Sequence, residues 1–259
     1  MRVGVLALQG AFREHLRALA DLGIEGIAVR LPQHLQGLDG LILPGGESTT
    51  IGKLAMLYGL LPAIRDFAGD GKPIWGTCAG LVFLARELVG YDDQPRLGLL
   101  DIRVRRNAFG SQVDSFETPL SVPALDRVVQ REELSRPFPG VFIRAPLIET
   151  IGNSVEVLAR LENGSIVAVQ QGLLLATAFH PELTDDRRFH RYFVSLLVGN
   201  RLPARLAPAD EALSDPARHH IEASRNIPCP HNGSMAEFDV READATLKTR
   251  ASTNHQGSL

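Results

Sequence analysis

A cysteine flanked by small residues is the sharpest chemical feature of this chain. In Gly76-Thr77-Cys78-Ala79-Gly80 the thiol sits after the strand-like segment Lys72-Pro73-Ile74-Trp75 and before Leu81-Val82-Phe83-Leu84-Ala85-Arg86-Glu87-Leu88, whose pattern predicts a helix. A nucleophile on so tight a strand-to-helix turn needs small neighbours, because the backbone is strained there and passes close to adjacent elements. Gly76 and Gly80 meet that need. The helix N-terminus favours the reactive thiolate, and the Ala79 N–H is placed to face an oxyanion at an attacked carbonyl carbon. The bland alternative is a small buried core cysteine.

A thiolate needs a base, and Phe179-His180-Pro181-Glu182 offers one. If this stretch is extended, His180 and Glu182 point to the same side, so the carboxylate can hold the imidazole tautomer and stabilise imidazolium. His-x-Glu alone is often a solvated surface pair. Joined to the cysteine turn it becomes a nucleophile, base and acid in triad order. Pro44-Gly45-Gly46-Glu47-Ser48-Thr49 adds a Gly-Gly loop at the end of a predicted strand, where open α/β sheets place their ligands. It could give the oxyanion a second N–H, and Ser48 could cap the helix that follows. Taken alone, it reads as an ordinary turn.

These residues require rigid elements to bring them together. Val3 to Leu8 is an apolar run that predicts a strand, and Phe12 to Leu22 carries Leu16, Leu19 and Ala20 on one helical face. Gly26 to Arg30 and Gly40 to Leu43 predict further strands, and Thr50 to Tyr58 and Leu60 to Ala68 further helices. Such alternation indicates βαβ crossovers, hence an α/β fold: three layers with a mostly parallel central sheet flanked by helices. Between about Leu97 and Gln170 shorter strands, including Asp101 to Val104 and Gly140 to Ile143, predict a small antiparallel excursion on the same domain. Residues 125–139 read as a surface loop. Ser165 to Gln170 and Leu173 to Phe179 form a strand pair that delivers the chain to His180, and Asp186 to Val198 predicts a closing helix. The organisation expected is a domain over 1–199 and a C-terminal extension over 200–259, too poor in large apolar residues to offset its ordering entropy.

The 259 residues carry 27 Lys and Arg against 30 Asp and Glu, a net charge of -3 with no long basic run. Nucleic acid and anionic membrane are therefore not expected partners. Cys78 and Cys229 are the two cysteines, too few for a disulfide framework, and a reducing cytoplasm fits. Neither a signal peptide nor a span of about 18 to 20 apolar residues is recognisable. Cys229-Pro230-His231 with His219-His220 lacks the repeated spacing of zinc sites, so no metal is expected.

In combination, Leu8-Gln9-Gly10-Ala11, Pro44-Gly45-Gly46-Glu47-Ser48-Thr49, Gly76-Thr77-Cys78-Ala79-Gly80, Arg106-Asn107, Gln112-Val113-Asp114-Ser115-Phe116, Phe142-Ile143-Arg144-Ala145-Pro146 and Phe179-His180-Pro181-Glu182-Leu183 resemble the class I, triad-type glutamine amidotransferases. More narrowly, residues 1–198 look like the glutaminase subunits of pyridoxal 5'-phosphate synthases. The resemblance implies a flavodoxin-like fold and a Cys78, His180, Glu182 triad. It implies that Gly46, Glu47 and Ser48 line an L-glutamine site, with Gly46 and Ala79 as the oxyanion hole and Arg106, Ile143 and Arg144 against the substrate. It also implies a hetero-oligomeric partner, the synthase subunit, which receives the ammonia for vitamin B6 synthesis, with no cofactor. A guanidinium matches a carboxylate bidentately, so Arg106 or Arg144 could hold the substrate α-carboxylate. The same turn and sheet serve other acyl-transfer chemistry, including cysteine peptidases, and a non-catalytic synthase-binding protein is the reading from another class.

Overall fold

The computed structural model describes residues 1–106 and 115–199. In chain order these are β1 (Arg2–Leu6), α1 (Phe12–Asp21), β2 (Glu25–Val29), β3 (Gly40–Leu43), α2 (Ser48–Leu57), α3 (Leu60–Gly69), β4 (Ile74–Thr77) and α4 (Ala79–Leu84). They continue through β5 (Ala85–Leu88), β6 (Leu100–Arg105), β7 (Ser115–Leu120), β8 (Phe138–Ile143), β9 (Leu147–Ile151), β10 (Glu156–Arg160), β11 (Ile166–Gln171), β12 (Leu174–Thr177) and α5 (Arg188–Gly199). Segments 200–259 and 107–114 fall outside the described residues. The expected extension, Asn107, Gln112, Val113 and Asp114 fall there too.

The main sheet runs β2-β1-β3-β4-β12-β11-β9-β6-β5, with β10 on β11. From β2 to β12 the pairings are parallel, and these strands are fed by α/β crossovers. β3 and β4 are wholly buried, because helices cover both faces. Alternation along β4 shows how. Trp75 and Thr77 point to the face of α1 and α5, where Trp75 packs with His15, Phe189, His190 and Phe193. Gly76 points the other way and lets α4 sit against the sheet, since a Cβ there would come 2.5 Å from the Gly80 carbonyl.

The antiparallel excursion is larger than the sequence suggests. β6, β9, β10 and β11 extend the main sheet itself, and β7 with β8 forms a separate hairpin. Leu81 to Leu88 does not continue as one helix either. The chain leaves α4 after Leu84 and becomes β5, parallel to β6. The carbonyls of Phe83 and Leu84 accept from Leu97 N–H at 2.8 Å and Leu99 N–H at 3.0 Å, so tertiary bonds replace a further turn. Stretch 125–139 is anchored rather than loose: buried Leu125 joins the core, and Arg188 donates to the carbonyls of Arg136 and Pro137 at 2.6 and 2.8 Å.

Candidate active site

Three carboxyl ends of parallel strands converge at one point of the sheet. β4 ends at Cys78, β3 ends at the Gly45-Gly46 loop, and β12 leads into His180. Cys78 has φ 47 and ψ -102, a strained conformation for a residue bearing a Cβ. Its N–H is fixed to the Thr177 carbonyl at 2.8 Å, and the first turn of α4 begins at the next residue. Strand pairing on one side and helix on the other therefore hold the strain in place. The Cys78 sulfur lies 3.9 Å from the Ile143 carbonyl at the end of β8.

His180 Nδ1 is 2.8 Å from Glu182 Oε1. The pairing matches the sequence expectation, but its cause differs: residues Pro181–Leu183 make a 3-10 turn, which folds the carboxylate back onto the ring. Both side chains are buried. Burial opposes the charged imidazolium, yet hydrogen bonds and negative charge from Cys78 and Glu182 outweigh it and raise His180 to about 10. His180 therefore holds its proton at neutral pH.

The Gly-Gly loop is pinned from α1's side. Ala11 N–H donates to the Gly45 carbonyl at 2.9 Å, and Glu47 N–H donates to Gln9 Oε1 at 2.7 Å. Because a trans peptide directs N–H opposite to C=O, the Ala11 bond also sets the direction of the Gly46 N–H. Gly45 must lack a side chain, since a Cβ would lie 2.8 Å from His180 Nδ1 and 3.4 Å from the Cys78 Cβ. The helix cap is a correction: Glu47, not Ser48, caps α2, accepting from Thr49 N–H at 3.1 Å and Thr50 N–H at 2.6 Å. Burial alone would raise the Glu47 carboxyl, but those bonds hold it at about 2. Ser48 is the first helical residue, buried, and faces the cleft beside Cys78.

The two arginines are in different situations. Arg106 donates to Glu47 at 3.0 Å, Thr49 at 2.9 Å and Gln94 at 2.5 Å, and stacks over Tyr91. It braces the loop while its side chain reaches the cleft near Cys78 and Ala79. Arg144 is exposed, has a positive φ of 42, and has no ion-pair partner among the described residues. Its guanidinium is thus available to a carboxylate. The cleft, about 260 Å³, is bordered by Gln9, Gly46, Glu47, Ser48, Cys78, Ile143, Arg144 and His180, and a smaller recess of about 40 Å³ adjoins it at Ala79, Val82 and Arg106. The predicted site residues therefore line these two spaces, except Glu182, which is buried behind His180. Among the described residues no cluster of His, Cys, Asp and Glu is arranged to hold a metal.

Sequence reasoning gave no role to Gln9 or to His15, Thr77 and His190, which lie behind Glu182. The available signal for His15 was its position four residues before Leu19, on the apolar face of α1. A histidine there must be satisfied inside the core.

Residues 5–199 match the SNO glutamine amidotransferase family. A relative from Herpetosiphon aurantiacus, named pyridoxal 5'-phosphate synthase subunit PdxT, is 57% identical over 198 residues, covering 76% of this chain and 100% of its own length. The protein of that name from Moorella thermoacetica is 55% identical over 197 residues, again covering 76% and 100%. A crystal structure of a glutamine amidotransferase superposes with TM-score 0.70 at 55% identity, over 76% of this chain and 98% of the other. A GMP synthase subunit from Thermoplasma acidophilum, at 20% identity and TM-score 0.57 over 78% and 96%, shares the fold.

Proposed function

The chain belongs to the SNO glutamine amidotransferase family, and from that premise we propose that it is the glutamine-hydrolysing subunit of a pyridoxal 5'-phosphate synthase, with Cys78, His180 and Glu182 as its triad. The observation that carries the residue assignment is the strained Cys78 at a strand-to-helix turn, facing a buried His180 bonded to Glu182.

Cys78 sulfur attacks the side-chain amide carbon of L-glutamine, and the carbonyl electrons move to oxygen. The N–H groups of Ala79 and Gly46 stabilise that oxyanion. His180 gives its proton to the departing nitrogen, so ammonia leaves as the C–N bond breaks and a glutamyl thioester remains on Cys78. A water then loses a proton to His180 and attacks the thioester, releasing L-glutamate and restoring the thiolate and imidazolium. Glu182 keeps Nδ1–H pointed away from the sulfur, so Nε2 serves the reaction. Arg144 takes the substrate α-carboxylate. Arg106 holds Glu47 and the loop, and Ile143 closes the cleft wall.

The ammonia passes to a separate synthase subunit in a hetero-oligomeric complex, for vitamin B6 synthesis. Among the described residues, only the Ala11 bond to the Gly45 carbonyl fixes the peptide that carries the Gly46 N–H, and neither flanking residue has a Cβ to resist rotation. Docking of the synthase beside this loop therefore stimulates hydrolysis. The finer fold reading, a flavodoxin-like domain over 1–199, is part of the same proposal, as is cytoplasmic residence, which suits a thiolate nucleophile. The test supplies glutamine labelled in its amide nitrogen to the chain mixed with its synthase. Label in the pyridoxal 5'-phosphate formed, and glutamate release that rises on adding synthase, are expected. Unlabelled product, or equal release with and without the partner, would overturn the pairing.

A further inference from the structure

We propose that His15 is a positioning residue for glutamine hydrolysis, holding the second carboxylate oxygen of Glu182 so that the first can orient His180. The inference rests on the triad reading above. Glu182 Oε2 is buried and forms no well-aligned hydrogen bond among the described residues. The donor that faces it is His15 Nε2, at 3.4 Å. Both side chains are fully buried, so water does not compete for the contact.

The protonation pattern of the surrounding groups follows from pairing every buried atom. His15 Nδ1 lies 3.0 Å from His190 Nε2, and His15 Nε2 lies 3.2 Å from Thr77 Oγ1. If His15 carried its hydrogen on Nδ1, a bare Nε2 lone pair would face the carboxylate. The His190 hydrogen would then sit on Nδ1, a buried atom without a partner among the described residues. With the hydrogen on His15 Nε2, His190 Nε2–H donates to His15 Nδ1 and only an acceptor of His190 goes unpaired, which costs less than an orphaned donor. The second arrangement wins at both ends. It directs His190 Nε2–H at His15 and His15 Nε2–H towards both Thr77 Oγ1 and Glu182 Oε2, whose other oxygen meets His180.

Both outer histidines remain neutral: burial lowers His15 well below its ordinary value and, with the charge of Arg187, lowers His190 to about 3. A neutral His15 presents its Nε2–H to Glu182 and Thr77 without placing a positive charge beside the carboxylate. The 3.4 Å separation leaves room for the contact to shorten when substrate is bound, as catalytic hydrogen bonds do.

The test compares His15→Gln with His15→Asn in the full chain, assayed with its synthase for glutamate release. A glutamine amide nitrogen reaches the place of Nε2, whereas an asparagine amide stops near Nδ1. His15→Asn is expected to lower kcat by about tenfold to a hundredfold, the cost of a misplaced catalytic group, with little change in KM for glutamine. Its alkaline limb should move to lower pH, because a loosened Glu182 holds the His180 proton less firmly. His15→Gln is expected to restore most of kcat and the wild-type pH profile. Circular dichroism and thermal melting establish that both variants are folded, and should one fail to fold, His190→Asn, whose amide stops short of Nε2, set against His190→Gln, supplies the same contrast one bond further out. Wild-type kcat and pH profile in folded His15→Asn, or equal losses in the two variants, would overturn the role of His15. A Cys78→Ala chain as active as wild type would instead overturn the triad reading beneath it.

Discussion

Cys78 and Gly45 are bound by the same geometric demand. Cys78 is strained, His180 is buried, and the Gly45-Gly46 loop passes so near both that a methyl group at Gly45 would lie 2.8 Å from His180 Nδ1. Gly45→Ala is therefore expected to cut glutamate release by about a hundredfold while the chain stays folded, as activity and melting measurements on the same sample would show. Acid stability is set one layer deeper. Burial, then the charge of Arg187, lowers His190 from 6.5 to about 3. The unfolded chain thus binds a proton that the native state refuses, and stability present above pH 6.5 is lost as pH falls towards 3. His190→Gln is expected to flatten the fall in melting temperature across that window, with no change of slope above it. That Cys78, His180 and Glu182 come together was legible in sequence because their types and order suggested shared chemistry. The inner histidines were not, because a lone histidine on an apolar helix face reads first as core.

At the level of elements, the site depends on α4 lying against β3 and β4. Gly76 meets Gly80 backbone to backbone, and a Cβ at Gly80 would strike the Leu43 carbonyl. Gly80→Ala is expected to destabilise the chain by about 1 to 3 kcal/mol, read as a lower denaturant midpoint at unchanged slope. The strands of the parallel half were legible as short apolar runs, and their ends located the chemistry. The end of α4 was not, because Ala85 to Leu88 has good helical composition and becomes strand only through bonds from Leu97 and Leu99 and pairing with β6. The same limit hid the size of the antiparallel region: β9 and β10 are held by partners distant in sequence. The Glu47 cap was missed for a related reason, since three polar residues in a row leave the cap's identity to backbone geometry.

For the whole molecule, relatives of about this domain's length are covered end to end by it, and the family match stops at residue 199. We infer that residues 1–199 carry the glutaminase. A chain ended after Gly199 is expected to release glutamate at the full-length rate when its synthase is present, and a large loss would assign the extension a part in catalysis. The central claim is that Cys78 forms the covalent bond to glutamine, and the most direct measurement is glutamate release by Cys78→Ala with saturating synthase, beside wild type. A fall of about a thousandfold or more, with the variant still folded and still binding the synthase, is the expected result; release at the wild-type rate would contradict it.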